Sequence, residues 1–148
     1  MRIVILKSSY LKGYTQDREM MHSAKRPCAL LVRLKYKGRR YDFAVPFRSN
    51  ISPASPKKEY FPLPPRAKTK PMHHHVLHYI KMFPVLRSWT VPYHTANNPD
   101  AVMYQNILNK NEKQIISECQ LYLIDYENGI RSAYSTDIDM LLTNLSTP

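Results

Sequence analysis

Arginine, serine and histidine side chains that could act on a phosphate group lie close together in this sequence. Arg48 and Ser49 follow the apolar run that ends with Phe47, and Lys57-Lys58 and His73–His75 come shortly afterwards. Such side chains could orient the 2′-hydroxyl of RNA in line with phosphorus, remove one proton, supply another and stabilise phosphoryl charge. Arg-Ser-Asn is also an ordinary turn composition, so the residues alone leave a catalytic site and a surface turn as equal interpretations.

A metal site is the first alternative for the histidines. His74 and His78 are four residues apart and would share a helix face, but their neighbours are as typical of a strand and no third ligand is evident. We therefore favour a metal-free role. His74 and His75 are candidate proton carriers because imidazole titrates near physiological pH, and loop histidines that contact phosphate are the equal alternative.

Cofactor-dependent chemistry finds no support in the motifs. With three glycines the chain has neither a P-loop nor a GxGxxG fingerprint, and the GxSxG elbow of a serine hydrolase does not occur. We expect no metal and no cofactor.

The charge is strongly asymmetric. Residues 1–90 carry 19 Lys and Arg against 4 Asp and Glu, a balance of +15, whereas residues 91–148 carry 3 against 7, a balance of −4. A basic surface of this size attracts polyanions, and nucleic acid is the favoured partner over a face that merely aids solubility. The 11 tyrosines, many of them in the basic part, could stack on unpaired bases, although most are expected in strands and the core.

The elements that must position these residues begin with strands. Arg2–Lys7 is typical of a strand, and Cys28–Tyr36 and Arg40–Phe47 predict an antiparallel hairpin around residues 37–39. Residues 46–99 hold ten of the twelve prolines and no glycine, which predicts short extended segments and ordered turns that pack rather than a disordered linker.

The acidic part of the chain predicts helices. Apolar residues recur at helical spacing over Asp100–Lys110 and Asn111–Tyr126, with a cap at residue 97 or 98, a possible break at residues 109–111, and a stop at Asn128-Gly129. A last helix is expected over residues 135–144. Cys28 and Cys119 are interpreted as reduced, buried thiols, and the absence of a membrane-length segment or signal peptide favours a cytoplasmic protein.

Several segments together resemble the ToxN/AbiQ/TenpN group of toxins from bacterial type III toxin–antitoxin systems, most nearly the TenpN-like branch. The segments are Lys7-Ser-Ser-Tyr10 after the first strand, the hairpin RPCALLVRLKYKGRRYDFAVPFRSN, YFPLPP, and the later HYIKMFP. The resemblance covers nearly the whole chain, and the helical last third fits in pattern more than in motif. It implies one α+β domain over residues 1–148, a twisted antiparallel sheet with surrounding helices, related to the Kid/MazF barrels.

The resemblance also implies an activity and a partner. The activity is a metal-independent endoribonuclease of phage-defence systems that leaves a 2′,3′-cyclic phosphate on cellular mRNA. The partner is a repeat-derived RNA pseudoknot, cut from its precursor by the toxin and held as the antitoxin in a closed protein–RNA ring. Ser49 then matches a site serine on the scissile phosphate or the attacking oxygen, Arg48 would stabilise phosphoryl charge, and Tyr10 matches a site tyrosine.

Two departures from ToxN affect these assignments. Ser49 is followed by Asn50-Ile51, and a literal Ser55-Pro56-Lys57 comes six residues later, so either Lys57 reaches the site or Arg48 replaces that lysine; we favour backbone contact by Lys57. Cys28 stands where ToxN has a basic residue, so that contact falls to Lys25 or Arg26. The full set of expected RNA contacts is Lys7, Lys25, Arg26, Lys57, Lys58, Arg66, His74 and Lys81, beside the catalytic set of Tyr10, Arg48, Ser49 and His75.

Two other functions share the same charge and tyrosines. One is a non-catalytic RNA-binding protein, such as an RNA chaperone, and the other is a toxin neutralised by a protein instead of an RNA. Composition does not separate them from the nuclease.

Overall fold

The computed structural model describes residues 1–7, 28–65, 72, 74–93 and 99–145. Within these ranges the strands and helices are β1 Arg2–Leu6, β2 Cys28–Tyr36, β3 Arg39–Ile51, β4 Tyr60–Leu63, β5 His74–His78, β6 Phe83–Val85, β7 Thr90–Pro92, α1 Pro99–Lys110, α2 Glu112–Glu127 and α3 Ile138–Leu145. The predicted α+β class, an antiparallel sheet with helices around it, is confirmed.

The β2–β3 hairpin forms around a two-residue turn. Tyr36 pairs with Arg39, so only Lys37 and Gly38 lie between the strands, and both have positive φ, 49° and 80°. Positive φ at both central positions is the turn whose twist matches that of the flanking strands, and glycine adopts it without steric cost. The predicted hairpin is confirmed, with a turn one residue shorter than expected.

β3 joins two parts of the sheet. The strand order is β4-β5-β3-β2-β1-β7, with β6 also beside β3. β3 pairs with β2 as far as Pro46, and its last part pairs with β5 instead. Arg48 and Ser49 therefore lie inside a strand, and the expectation that they follow a strand end is wrong. The strand continues because β5 supplies new hydrogen-bond partners for backbone groups that β2 no longer reaches.

The main core lies between the sheet and the helices. α2 packs against β2, and its buried residues are Ile115, Cys119, Leu123 and Tyr126. Their spacing of four, four and three residues places them on one helix face, as the sequence predicted. Cys119 is a free thiol, and burial raises its pKa well above the usual range, so it remains protonated.

The helix ends have local causes. The break between α1 and α2 falls at Asn111, whose side-chain amide donates to the Ile107 carbonyl at 2.7 Å, and Gly129 with φ of 85° ends α2. α3 begins at Ile138, three residues later than expected, because the backbone N–H of Thr136 donates to the Ile80 carbonyl and Asp137 caps the helix by accepting from the Met140 N–H. None of the described helices has the length and apolar character needed to cross a membrane.

Candidate active site

A β-bulge brings Ser49 opposite His75. Arg48 pairs with Val76 and Ile51 pairs with His74, so the two residues of β3 between these pairs oppose one residue of β5. An extra residue of this kind bends the strand and leaves part of the ladder unpaired. The exposed Ser49 therefore lies across the β3–β5 pair from His75.

His75 is held by an aromatic residue of α1. The rings of His75 and Tyr104 are stacked, with centroids 5.1 Å apart and planes inclined by 13°. The Tyr104 hydroxyl donates to the Pro64 carbonyl oxygen at 2.8 Å, so the ring that holds His75 is itself fixed. His75 is 5% exposed.

A cleft of about 70 Å³ opens beside this pair. Its lining residues are Ile3, Cys28, Phe47, His75, Tyr93, Ala101 and Tyr104. The lining is aromatic and apolar apart from the imidazole, the Cys28 thiol and the tyrosine hydroxyls, so a charged group that enters it is held in a low-dielectric setting where each polar contact is strengthened.

Arg48 faces the opposite side of the sheet from His75. Neighbouring residues of a strand point to opposite faces, and Phe47 packs on the main core beside the cleft. The positive charge of Arg48 instead lies near His78. Burial is the largest cause that lowers the pKa of His78 to about 3, and the charges of Arg48 and Lys81 lower it further. Ser49 therefore lies across from His75, and Arg48 lies on the other face of β3. The sequence, in contrast, predicts all three residues in one site.

His78 is a neutral imidazole at physiological pH. It is 5% exposed, and its Nδ1 has no hydrogen-bond partner among the described residues. A group with so low a pKa is a poor proton carrier near pH 7. Among the described residues no group of three His, Cys, Asp or Glu side chains is placed to hold a metal ion.

The lysines predicted to contact RNA differ in their exposure to solvent. Lys57 and Lys58 are exposed on a short 3₁₀ helix, and Lys7 is exposed, with its ammonium donating to the Ser88 carbonyl at 2.9 Å. Lys81 is 1% exposed, and its ammonium donates to the Tyr134 carbonyl. The assignment of Lys81 to an RNA-binding surface is therefore corrected, because its charge is turned into the protein.

Four predicted site residues lie outside the described ranges: Tyr10, Lys25, Arg26 and Arg66. The backbone of His74 belongs to β5, and its side chain is outside the description. These assignments remain predictions.

Two tyrosines of the cleft were missed from the sequence. Tyr93 follows β7, and Tyr104 lies on α1, for which the sequence predicts a helix and no site residue. A signal for Tyr104 did exist, because Ala101, Tyr104 and Leu108 are spaced three and four residues apart and form the buried face of the helix.

Two of the solved structures that share this fold come from type III toxin–antitoxin systems, the group that the sequence resembles. AbiQ, a lactococcal anti-phage endoribonuclease, matches with a TM-score of 0.74 and 14% identity over 97% of this chain and 94% of its own. A type III toxin selectively inhibited by a non-coding RNA pseudoknot matches with a TM-score of 0.71 and 15% identity over 97% and 94%. A protein of a bacterial antiviral system regulated by a processed non-coding RNA matches with a TM-score of 0.73 and 14% identity over 97% and 96%.

At these identities the likeness demonstrates a common fold across nearly the whole chain, and the fold expected from the resemblance is confirmed. No protein-family model matches the chain, and no curated protein does.

Proposed function

We propose that this chain is the toxin of a type III toxin–antitoxin system and that it cleaves RNA without a metal ion. The observation that carries the proposal is the bulge that sets Ser49 opposite His75, beside an aromatic cleft, in a fold shared with the AbiQ endoribonuclease. Cellular mRNA would be the substrate and the cytoplasm the site of action.

RNA supplies its own nucleophile in the proposed reaction. The 2′-oxygen attacks the adjacent phosphorus, the bond from phosphorus to the 5′-oxygen breaks, and a 2′,3′-cyclic phosphate and a 5′-hydroxyl result. One proton leaves the 2′-hydroxyl and one reaches the 5′-oxygen, and His75 is the described group suited to one of these transfers. The stack on Tyr104 fixes the plane of the imidazole, which keeps its nitrogens aligned with the reacting oxygens.

Ser49 and the bulge would hold the phosphate. The Ser49 hydroxyl is exposed beside His75 and can donate to a phosphoryl oxygen or accept from the 2′-hydroxyl. A bulge also leaves backbone N–H groups outside the ladder, and such groups can stabilise phosphoryl charge in the transition state. Tyr10 remains a further proposed member of the site.

Arg48 takes a different role from the one that the sequence predicted. Because Arg48 lies on the His78 side of β3, we propose that it does not contact the scissile phosphate. Its guanidinium instead positions the bulge and makes the electrostatic potential at the bulge more positive. The exposed Lys57 and Lys58 would bind the RNA backbone, as would Lys7.

The inhibitor would be a small repeat-derived RNA pseudoknot. The balance of +15 over residues 1–90 supports a folded polyanion as partner, and the inhibition of a protein of the same fold by a non-coding RNA pseudoknot supports its type. We propose that the toxin cuts this RNA from its precursor and that the product stays bound in a closed protein–RNA assembly.

The test is cleavage of total RNA by the purified protein, with the new ends mapped for cyclic phosphate. Ser49→Ala is expected to abolish cleavage and toxicity while RNA binding is retained, and Ser55→Ala, in the literal Ser-Pro-Lys loop, is the matched control that should cleave normally. Excess EDTA should leave the rate unchanged. Binding of RNA without discrete fragments would instead identify a non-catalytic RNA-binding protein. If Ser55→Ala lost cleavage while Ser49→Ala retained it, the active site would lie at the loop that contains Lys57 and not at Ser49.

A further inference from the structure

Three arginines and one carboxylate line a pocket at a distance from the bulge. Arg33 Nη1 lies 3.4 Å from Asp42 Oδ1, and Arg87 Nε lies 3.2 Å from Asp42 Oδ2. Arg2 and Leu31 complete the lining of a pocket of about 170 Å³. We call these three arginines and Asp42 the arginine cluster.

The backbone sets this arrangement. Arg33 is directly opposite Asp42 in the β2–β3 pair, and Arg2 is opposite Leu31, two positions along β2 from Arg33. Arg87 comes from the 3₁₀ helix Arg87–Trp89, which follows β6 on the other side of β3. Two of the arginines thus come from paired strands, and the third comes from the 3₁₀ helix that follows β6.

The cluster has more positive charge than its own carboxylate can balance. Two guanidinium groups pair with Asp42, and the third, that of Arg2, lines the same pocket, so the cluster has a surplus of two positive charges. The Asp42 side chain is 10% exposed, whereas those of Arg33 and Arg87 are 53% and 68% exposed. The guanidiniums of Arg33 and Arg87 are therefore held beside Asp42 while much of each side chain stays in solvent. Planar groups oriented in this way match the oxygens of a phosphate.

We propose that the arginine cluster is a second RNA-binding site, which takes a backbone phosphate of the RNA bound at the Ser49–His75 cleft. Asp42 and Ser49 are seven residues apart in β3, a span of about 23 Å, and an odd spacing places them on opposite faces of the sheet. The cluster would therefore hold a part of the RNA that lies several nucleotides from the scissile bond and has passed to the other face of the sheet. This inference rests on the proposed function.

The experiment measures the affinity for a fluorescent single-stranded RNA of about 20 nucleotides with 2′-O-methyl groups throughout, which cannot be cleaved because the nucleophile is blocked. Arg33→Gln/Arg87→Gln should weaken binding about fivefold near 0.1 M KCl and lower the slope of log K against log[KCl] by about 0.7 to 1.4, the contribution of one or two single-strand phosphates. Lys110→Gln/Lys113→Gln removes the same charge from the exposed surface of the helices and should bind as the wild type does.

Arg2→Gln keeps the measurement interpretable if the double variant loses its fold, because Arg2 forms no ion pair within the described ranges. It should weaken binding in the same direction by a smaller factor. Equal affinity of Arg2→Gln and the control variant would overturn the inference and leave the cluster as an ion-pair network. Calorimetric binding of inorganic phosphate that is lost in the variants, with RNA affinity unchanged, would identify a small-anion site and also overturn it. Absence of RNA binding by the wild type would contradict the proposed function itself.

Discussion

His75 lies stacked on Tyr104, with ring centroids 5.1 Å apart, although the two residues belong to a strand and a helix well separated in sequence. The stack joins β5 to α1 and holds the imidazole beside the bulge of β3. The helical part of the chain is therefore more than a scaffold. It supplies one wall of the cleft and fixes the orientation of the group proposed to move protons.

Replacement of Tyr104 tests this positioning. Tyr104→Phe keeps the stack and removes the hydrogen bond to the Pro64 carbonyl, so we expect a loss of about 1 kcal/mol in stability and near-normal cleavage. Tyr104→Leu removes the stack, and we expect kcat to fall about tenfold while the dissociation constant for non-cleavable RNA stays the same. Single-turnover kinetics and RNA titration on both variants give these values. Equal kcat in the two variants would contradict the positioning role.

The sequence predicted the parts of the fold that depend on neighbouring residues. The β2–β3 hairpin follows from the Lys37-Gly38 turn and its flanking strands, and the buried face of α2 follows from its own spacing. The bulge was not predictable in this way. It exists only because the end of β3 pairs with β5, and the register of that pair involves residues more than twenty positions apart.

The same limit applies to the charged and titratable site residues. Lys57 and Lys81 are both lysines of the basic region, yet one is exposed and the other is buried with its ammonium on a backbone carbonyl. His75 and His78 are three residues apart and so lie on opposite faces of β5, which places one in the cleft and the other beside Arg48. Only the pairing of strands separates these roles.

His78 should make stability dependent on pH. Its pKa is about 3 in the folded protein, below the ordinary value near 6.5, so the unfolded chain binds a proton that the native protein does not. The contribution of His78 is complete above pH 6.5 and is lost as the pH falls from 6.5 towards 3, with a slope of about 1.4 kcal/mol per pH unit. Urea unfolding from pH 7 to pH 4 should show this slope, and His78→Leu should remove it. A slope unchanged in His78→Leu would assign it to other groups.

The titration of His78 also reports on its neighbours. Burial is the largest cause of its low pKa, followed by the charge of Arg48 and then that of Lys81. We therefore expect the pKa of His78 to rise in Arg48→Met and to rise by less in Lys81→Met. NMR titration of the imidazole resonances measures both shifts. If Arg48→Met leaves the pKa of His78 unchanged, Arg48 does not face the His78 side of the sheet and could lie with His75 after all.

The lysines of the basic region should differ in their effect on RNA binding. Lys57→Met/Lys58→Met removes two exposed charges and should weaken the binding of non-cleavable RNA and lower its salt dependence, because fewer counterions are released on association. Lys81→Met removes a charge that is 1% exposed, so it should leave the RNA affinity unchanged while the unfolding temperature changes. Fluorescence anisotropy at several KCl concentrations, with thermal unfolding of the same samples, compares the variants. A loss of RNA affinity in a folded Lys81→Met protein would contradict this correction and return Lys81 to the predicted RNA contacts.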